Sequence, residues 1–362
     1  MKDPVSISVF LMLVCPVMLL ADQPQAGPVL SWSELPSLPD PLGVAGPFAG
    51  VHNDALIVAG GANFPRPVWE NEKAWYSDIH VLVKRGDRFR WKRGGKLPRP
   101  IAYGAAVSTP DGVVCMGGND GTQTFADVHL LQWDAGARRI RIQPYPALPQ
   151  PCAFGQAVVV DGVIYLAGGQ QGQGLETAMT NFWSLDLARR EDPAAFTWKV
   201  LKPWPGPSRA LNLTVRQDNG DHDCIYVISG RRQQGDEVQF LRDSWEFTPD
   251  TGSWRQRADA PRSVMAGIGM GDNRGNILVL GGADGSMFYR VDELRDRHPG
   301  FPLEALSYHP ATDSWSSAGK MPANHVTTVA VRWDGQIIIP SGEIRPRVRS
   351  AKIWSVRAVA QE

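Results

Sequence analysis

The segment Ile339–Arg349, IPSGEIRPRVR, sets one carboxylate, Glu343, ahead of three guanidinium groups, Arg345, Arg347 and Arg349, within six residues. A carboxylate can take and return a proton during a reaction. A guanidinium grips another carboxylate through a two-pronged hydrogen bond. Side by side they suit proton transfer on a small molecule that carries its own negative charge. The competing reading is a charged loop in solvent, and the rest of the chain decides between them.

Other chemistries find little support. No His, Asp or Cys cluster has metal-ligand spacing, so neither a metal nor a cofactor is expected. There is no phosphate-cradling glycine loop and no G-x-S-x-G elbow for a serine nucleophile. His80, His129 and His309 fall on strands where packing is the expected role. Lys+Arg 37 balance Asp+Glu 37, and a formal charge of +0 gives no global field to recruit nucleic acid or an anionic membrane.

Residues 1–21 combine Lys2, an apolar run from Val5 to Leu20 and the small Ala21. That is the layout of a signal peptide, and it implies a secreted or periplasmic protein with no membrane span after cleavage. Cys115, Cys152 and Cys224 then remain, widely separated and without C-x-x-C spacing, as small buried residues. Residues 22–362 are expected to form a single domain; their oligomeric state is open.

A repeat supplies the frame. A short apolar strand ending in a small-residue pair recurs as ALIVAGG, GVVCMGG, VIYLAGG, CIYVISG, NILVLGG and QIIIPSG, closing at Gly61, Gly118, Gly169, Gly230, Gly282 and Gly342. Each copy continues with an apolar strand, often a Trp, and a Pro-containing loop such as KLPRPIAYG or ADAPRSVMAG. Four short strands repeated about every 50 residues is the kelch pattern. Six copies predict an all-β, six-bladed kelch β-propeller. Only one strand follows the last pair, SAKIWSV (Ser350 to Val356), so the missing strand must be PVLSWSEL (Pro28 to Leu35). The N-terminal strand then completes the final blade and closes the ring.

The loops after each pair and the Pro-containing loops converge on one mouth of the channel. Their polar residues are the candidates: Asn63, Arg99, Tyr103, Asn119, Asp120, Arg209, Asn212, Arg231, Arg232, Arg262, Asp284, Asn324, His325, Glu343, Arg345 and Arg349. Arginine outnumbers carboxylate there, which suits a small acidic ligand. Taken singly, each of these is as readily a partner for a loop carbonyl.

Several segments are specific: DPLGVAGPFAGVHNDALIVAGGANFP with WYSDIHVL in the first unit, IAYGAAV in the second, GGADGSMF with SYHPATDSW in the fifth, and SGEIRPRVR in the sixth. Together they resemble the N-acetylneuraminate epimerases, secreted kelch propellers that interconvert the α and β anomers of sialic acid. In the third and fourth units the likeness thins to the general kelch pattern. The order of units resembles a cyclically permuted branch, with GVAG first and Gly-Glu last. The resemblance implies Glu343 as proton acceptor, Arg349 as a substrate-site residue and Arg345 at the basic position before Pro346. Asn63, Tyr103, Arg209, Arg231, Arg262 and His325 complete the expected binding set. Two departures stand out: Ile101 occupies a position where the family commonly has arginine, with Arg99 nearby as a substitute, and the fifth-unit insertion is shorter. The rival from another class is a non-catalytic kelch propeller that binds a glycan or a protein. Copper oxidation, as in kelch-containing galactose oxidases, would need tyrosine ligands at the mouth, and only Tyr103 is well placed.

Overall fold

The computed structural model describes residues 28–359; the signal sequence expected at residues 1–21 lies outside them. Six four-stranded antiparallel sheets are arranged as the blades of a β-propeller. Blade one is built from Phe48–His52, Ala55–Ala59, Asp78–Arg85 and Arg88–Lys96. Blades two to five follow in chain order. Blade six pairs Val331–Trp333, Gln336–Pro340 and Ile353–Val359 with the N-terminal strand Val29–Leu35. Seven register pairs, from Val29 opposite Val359 to Leu35 opposite Ile353, close the ring.

The third strand of blade six starts three residues later than its pattern predicts. After Gly342 the chain first makes a small hairpin, Glu343–Arg345 against Val348–Arg349, so the IPSGEIRPRVR segment has its own local structure.

Burial in the sandwiched strands is continuous rather than alternating. Second strands such as Ala55–Ala59 and Gly112–Met116 are buried on both faces, because a blade lies against each side of them. Cys115, Cys152 and Cys224 are free and buried in these cores. The repeated Trp has a definite task. The indole N–H of Trp91, Trp198, Trp254 and Trp315 donates to the carbonyl of Pro36, Pro146, Lys202 and Ala258 respectively, in the chain that leaves the preceding blade's outer strand. Each bond stitches one blade to its neighbour.

Two features explain why the loops after the glycine pairs can crowd the mouth. The second glycine of each pair takes a positive φ where a side chain would collide; a Cβ on Gly282 would sit 2.5 Å from the Val264 carbonyl oxygen. The first position tolerates serine in blade six, where the Ser341 hydroxyl accepts from the Val44 N–H and lies within donating distance of the Val44 and Ser350 carbonyls. Inside this layer, Gly46, Tyr103, Phe154, Leu211, Ala266 and Thr327 all take left-handed backbone angles. Each N–H donates to the carbonyl of the equivalent residue in the preceding blade, at 2.6–2.8 Å, and Gly46 closes the circle onto Thr327. This backbone girdle fixes the floor on which the site is built.

Candidate active site

Glu343 directly follows the Ser341–Gly342 pair, and its N–H donates 2.9 Å to the Val326 carbonyl. Its side chain is held from two sides. The Arg347 N–H donates to Oε1 at 2.9 Å, and Arg349 Nη1 lies 3.2 Å from the same oxygen. Among the described residues Oε2 has no protein partner, so the second carboxylate oxygen is free to accept a proton from a bound molecule.

Arg349 is buried, with its side chain 3% exposed, yet its hydrogen bonds are loose. Nε reaches the Ala62 carbonyl at 3.4 Å and Nη2 the Tyr103 hydroxyl at 3.5 Å. Nη1 is within ion-pair distance of Glu343 but poorly aligned, and makes no hydrogen bond there. Burial works against its charge, but Glu343 and Tyr103 outweigh burial and raise its pKa. A buried, charged guanidinium with slack donors is suited to an incoming anion.

Tyr103 stacks on Phe154 with ring centroids 4.7 Å apart. Lys73 Nζ lies 5.2 Å from the Tyr103 ring, 5.4 Å from Trp75 and 5.5 Å from Phe64. The Phe64 ring also carries Arg347 at 4.7 Å and Arg349 at 5.0 Å. One wall is therefore aromatic and cationic together. Beside Glu343 opens a cavity of ≈ 490 Å³, lined by Arg231, Met265, Met287, Phe288 and Phe301 among others. Burial lowers the pKa of Arg231, the Glu343 charge partly offsets this, and its Nε has no partner.

The channel's other end holds a cavity of the same size, lined largely by alanine, valine and glycine of the inner strands. Its Arg216 is paired with Asp223 at 3.0 Å. The uncommitted chemistry lies at the Glu343 end.

The structure thus brings together Glu343, Arg349, Tyr103 and Arg231. It gives the other predicted binding residues different work. Arg345 turns outward to the carbonyl and carboxylate of Asp296, the latter at 2.9 Å, and ties the fifth-blade excursion to the site hairpin. Asn63 is saturated: its amide donates to Gly43 and Asp40, and its oxygen accepts from the Tyr76 hydroxyl. Arg262 donates to the carbonyls of Ser263 and Glu304. Arg99 pairs with Asp127 at 3.4 Å over the Phe125 ring and does not substitute at the Ile101 position. Ile101 itself packs into the core between blades one and two.

Arg209 is fully buried, bound to Asp243 at 2.6 Å and to the Ser229 carbonyl at 3.0 Å. Its side chain has no exposed surface. Breaking such a pair leaves a charge with no counterpart, so Asp243→Ala should destabilise the fold by about 3–5 kcal/mol in denaturant melts. Ligand affinity measured at a temperature where the variant stays folded should be unchanged.

His325 is likewise structural: Nδ1 lies 2.6 Å from the Ser341 carbonyl, which assigns its proton to that nitrogen. Burial pushes its pKa down to about 4. Between pH 6.5 and 4 the unfolded chain protonates this ring while the folded chain does not, so stability falls as pH falls across that window. The loss is roughly 3 kcal/mol at about 1.4 kcal/mol per pH unit. His325→Asn should flatten the pH dependence of stability between 4 and 6.5.

Sequence reasoning missed Phe64, Lys73, Trp75 and the Arg347 backbone N–H. Phe64 sits in the specific GGANFP stretch and Arg347 in GEIRPRVR, so both had a signal. Trp75 opens the specific WYSDIHVL stretch and had one too, whereas Lys73 had none, because it lies in an excursion of blade one outside the repeat.

Fold and site together define a six-bladed propeller with a carboxylate and a buried arginine facing one mouth. The comparisons narrow that class. The family model for N-acetylneuraminate epimerase matches residues 22–140. The chain is 26% identical over 236 residues to the N-acetylneuraminate epimerase of Haemophilus influenzae (strain PittEE), covering 58% of each chain. It is 35% identical over 134 residues to that of Yersinia pestis (strain Pestoides F), covering 32% of this chain and 33% of that one. A solved structure of YjhT shares the fold, with a TM-score of 0.65 at 15% identity over 88% of this chain and 96% of that one. The resemblance read from the motifs is thus supported by sequence relatives that carry the epimerase name.

Proposed function

We propose that this protein is an N-acetylneuraminate epimerase, a mutarotase that interconverts the α and β anomers of sialic acid. The observation that carries the reading is the pairing of Glu343, with Oε2 free, and the buried, under-bonded Arg349. Arg349 takes the sugar's C1 carboxylate in a bidentate grip, which sets the anomeric hydroxyl beside Glu343. The Glu343 carboxylate removes the proton from that hydroxyl while the bond from C2 to the ring oxygen breaks. The ring oxygen gains a proton from water or from the protonated Glu343, giving the open-chain keto acid. Rotation about C2–C3 presents the other face, and the same transfers in reverse close the ring. No atom is gained or lost.

The apolar side of the neighbouring cavity, Met265, Met287, Phe288 and Phe301, supports this reading by offering a place for the N-acetyl methyl group. The binding-module alternative shares the pocket but has no use for Glu343. Saturation-transfer NMR on equilibrated sugar separates them, since only a mutarotase transfers saturation between the two anomeric signals.

We also read the chain as a cyclic permutant within its family, because joining Val29–Leu35 to Ile353–Val359 lets the ring open at another loop without changing any blade's neighbours. The layout of residues 1–21 supports export from the cytoplasm as a working assumption for expression.

A further inference from the structure

The chain's balanced net charge hides a strongly basic groove far from the site. On the third and fourth strands of blade one, Arg85 lies opposite Arg88, Val83 opposite Arg90 and Val81 opposite Lys92. All six residues share one face. Val81 and Val83 are packed in the core between blades one and two, so the four cations line the outer part of that same cleft. Arg138, from the turn between two strands of blade two, reaches it from the other side. The groove has a volume of ≈ 830 Å³ and Asp87 as its one lining carboxylate. Cations nearby are matched: Lys84 with Asp334, Arg141 with Asp134. None of the five groove cations has an ion-pair partner among the described residues.

We propose that this groove binds a linear anionic polysaccharide. Arg88, Arg90 and Lys92 alternate along one strand, so their Cα atoms repeat about every 7 Å, a row that fits a chain of regularly spaced negative groups. The site is concave and its cations run along one strand, which suits a polymer strand rather than a lipid surface. It offers no open aromatic platform for nucleobases, because Phe89 packs edge-on against Trp333 at 5.7 Å. Asp78 is bonded beside Gly60 at the mouth end of the blade, and the strand then runs to Arg85 at the far end. A polymer held there leaves the Glu343 mouth open.

The test is isothermal titration of the mature chain with dextran sulfate and with polygalacturonate, across a salt series, against neutral dextran. The two polymers distinguish sulfate from carboxylate recognition. Binding to at least one of them is expected, with affinity falling steeply as salt rises. The variant R88Q/R90Q/K92Q should bind at least about tenfold more weakly, and its salt slope should flatten by roughly 2 to 3, at about 0.7–0.9 per cation removed. R88K/R90K should keep the slope, and anomer interconversion should be unchanged in both variants. Equal binding by wild type and the Gln variant, or equal binding of neutral dextran, would overturn the proposal. So would tighter binding of oligothymidylate than of either polysaccharide, which would make the groove a nucleic-acid site.

Discussion

Glu343→Gln is expected to remove about 10²- to 10⁴-fold of the anomer interconversion rate, the usual share of a positioned general base. Glutamine has nearly the same shape, and its side-chain oxygen can still accept from the Arg347 N–H that now bonds Oε1 at 2.9 Å. The hairpin Glu343–Arg345 against Val348–Arg349 should therefore persist, and so should the melting curve. Arg349 remains in place to hold the sugar carboxylate, so affinity should change only several-fold. The combination matters: rate lost with binding kept marks a base. Binding lost in parallel with rate would make Glu343 a ligand contact and favour the binding-module reading.

Removing residues through Leu35 is expected to abolish the single cooperative unfolding transition. The deletion strips seven register pairs from Ile353–Val359 and exposes that strand as a raw edge. It also removes Leu30 and Trp32 from the core shared with blade five, including the edge-on contact of Trp32 with Trp354 at 6.2 Å. The Lys352–Glu34 ion pair is lost as well, a minor term at the surface. Because each blade of a closed ring is braced by two neighbours, opening one seam weakens the whole. Circular dichroism melts of the deletion and the full chain decide it. An unchanged curve would contradict ring closure by this strand.

The architecture was legible because its signals are periodic and physically forced. Only glycine fits the second position of each pair, and a Trp on the outer strand can reach back to the preceding blade, so both recur visibly. The site was legible where chemistry and chain proximity coincide, in Glu343 and Arg349. It was less so where residue type alone had to decide. Arg209, Asn63 and His325 are polar residues at the correct end of a blade, but each is consumed by a buried partner that sequence does not display. Arg345 was drawn away by Asp296, which belongs to an excursion of blade five with no repeat to locate it. Lys73, the cation over the aromatic wall of Phe64 and Trp75, lies in such an excursion too. The basic groove escaped composition altogether, since a balanced total says nothing about where charges sit.

The most direct test of the central claim is a proton NMR time course on α-N-acetylneuraminate freshly released by a sialidase, with and without the purified protein. The account predicts that the protein speeds the approach to the β anomer and that Glu343→Gln does not. A wild-type time course that overlays the spontaneous one, at protein concentrations where the sugar is demonstrably bound, would contradict it.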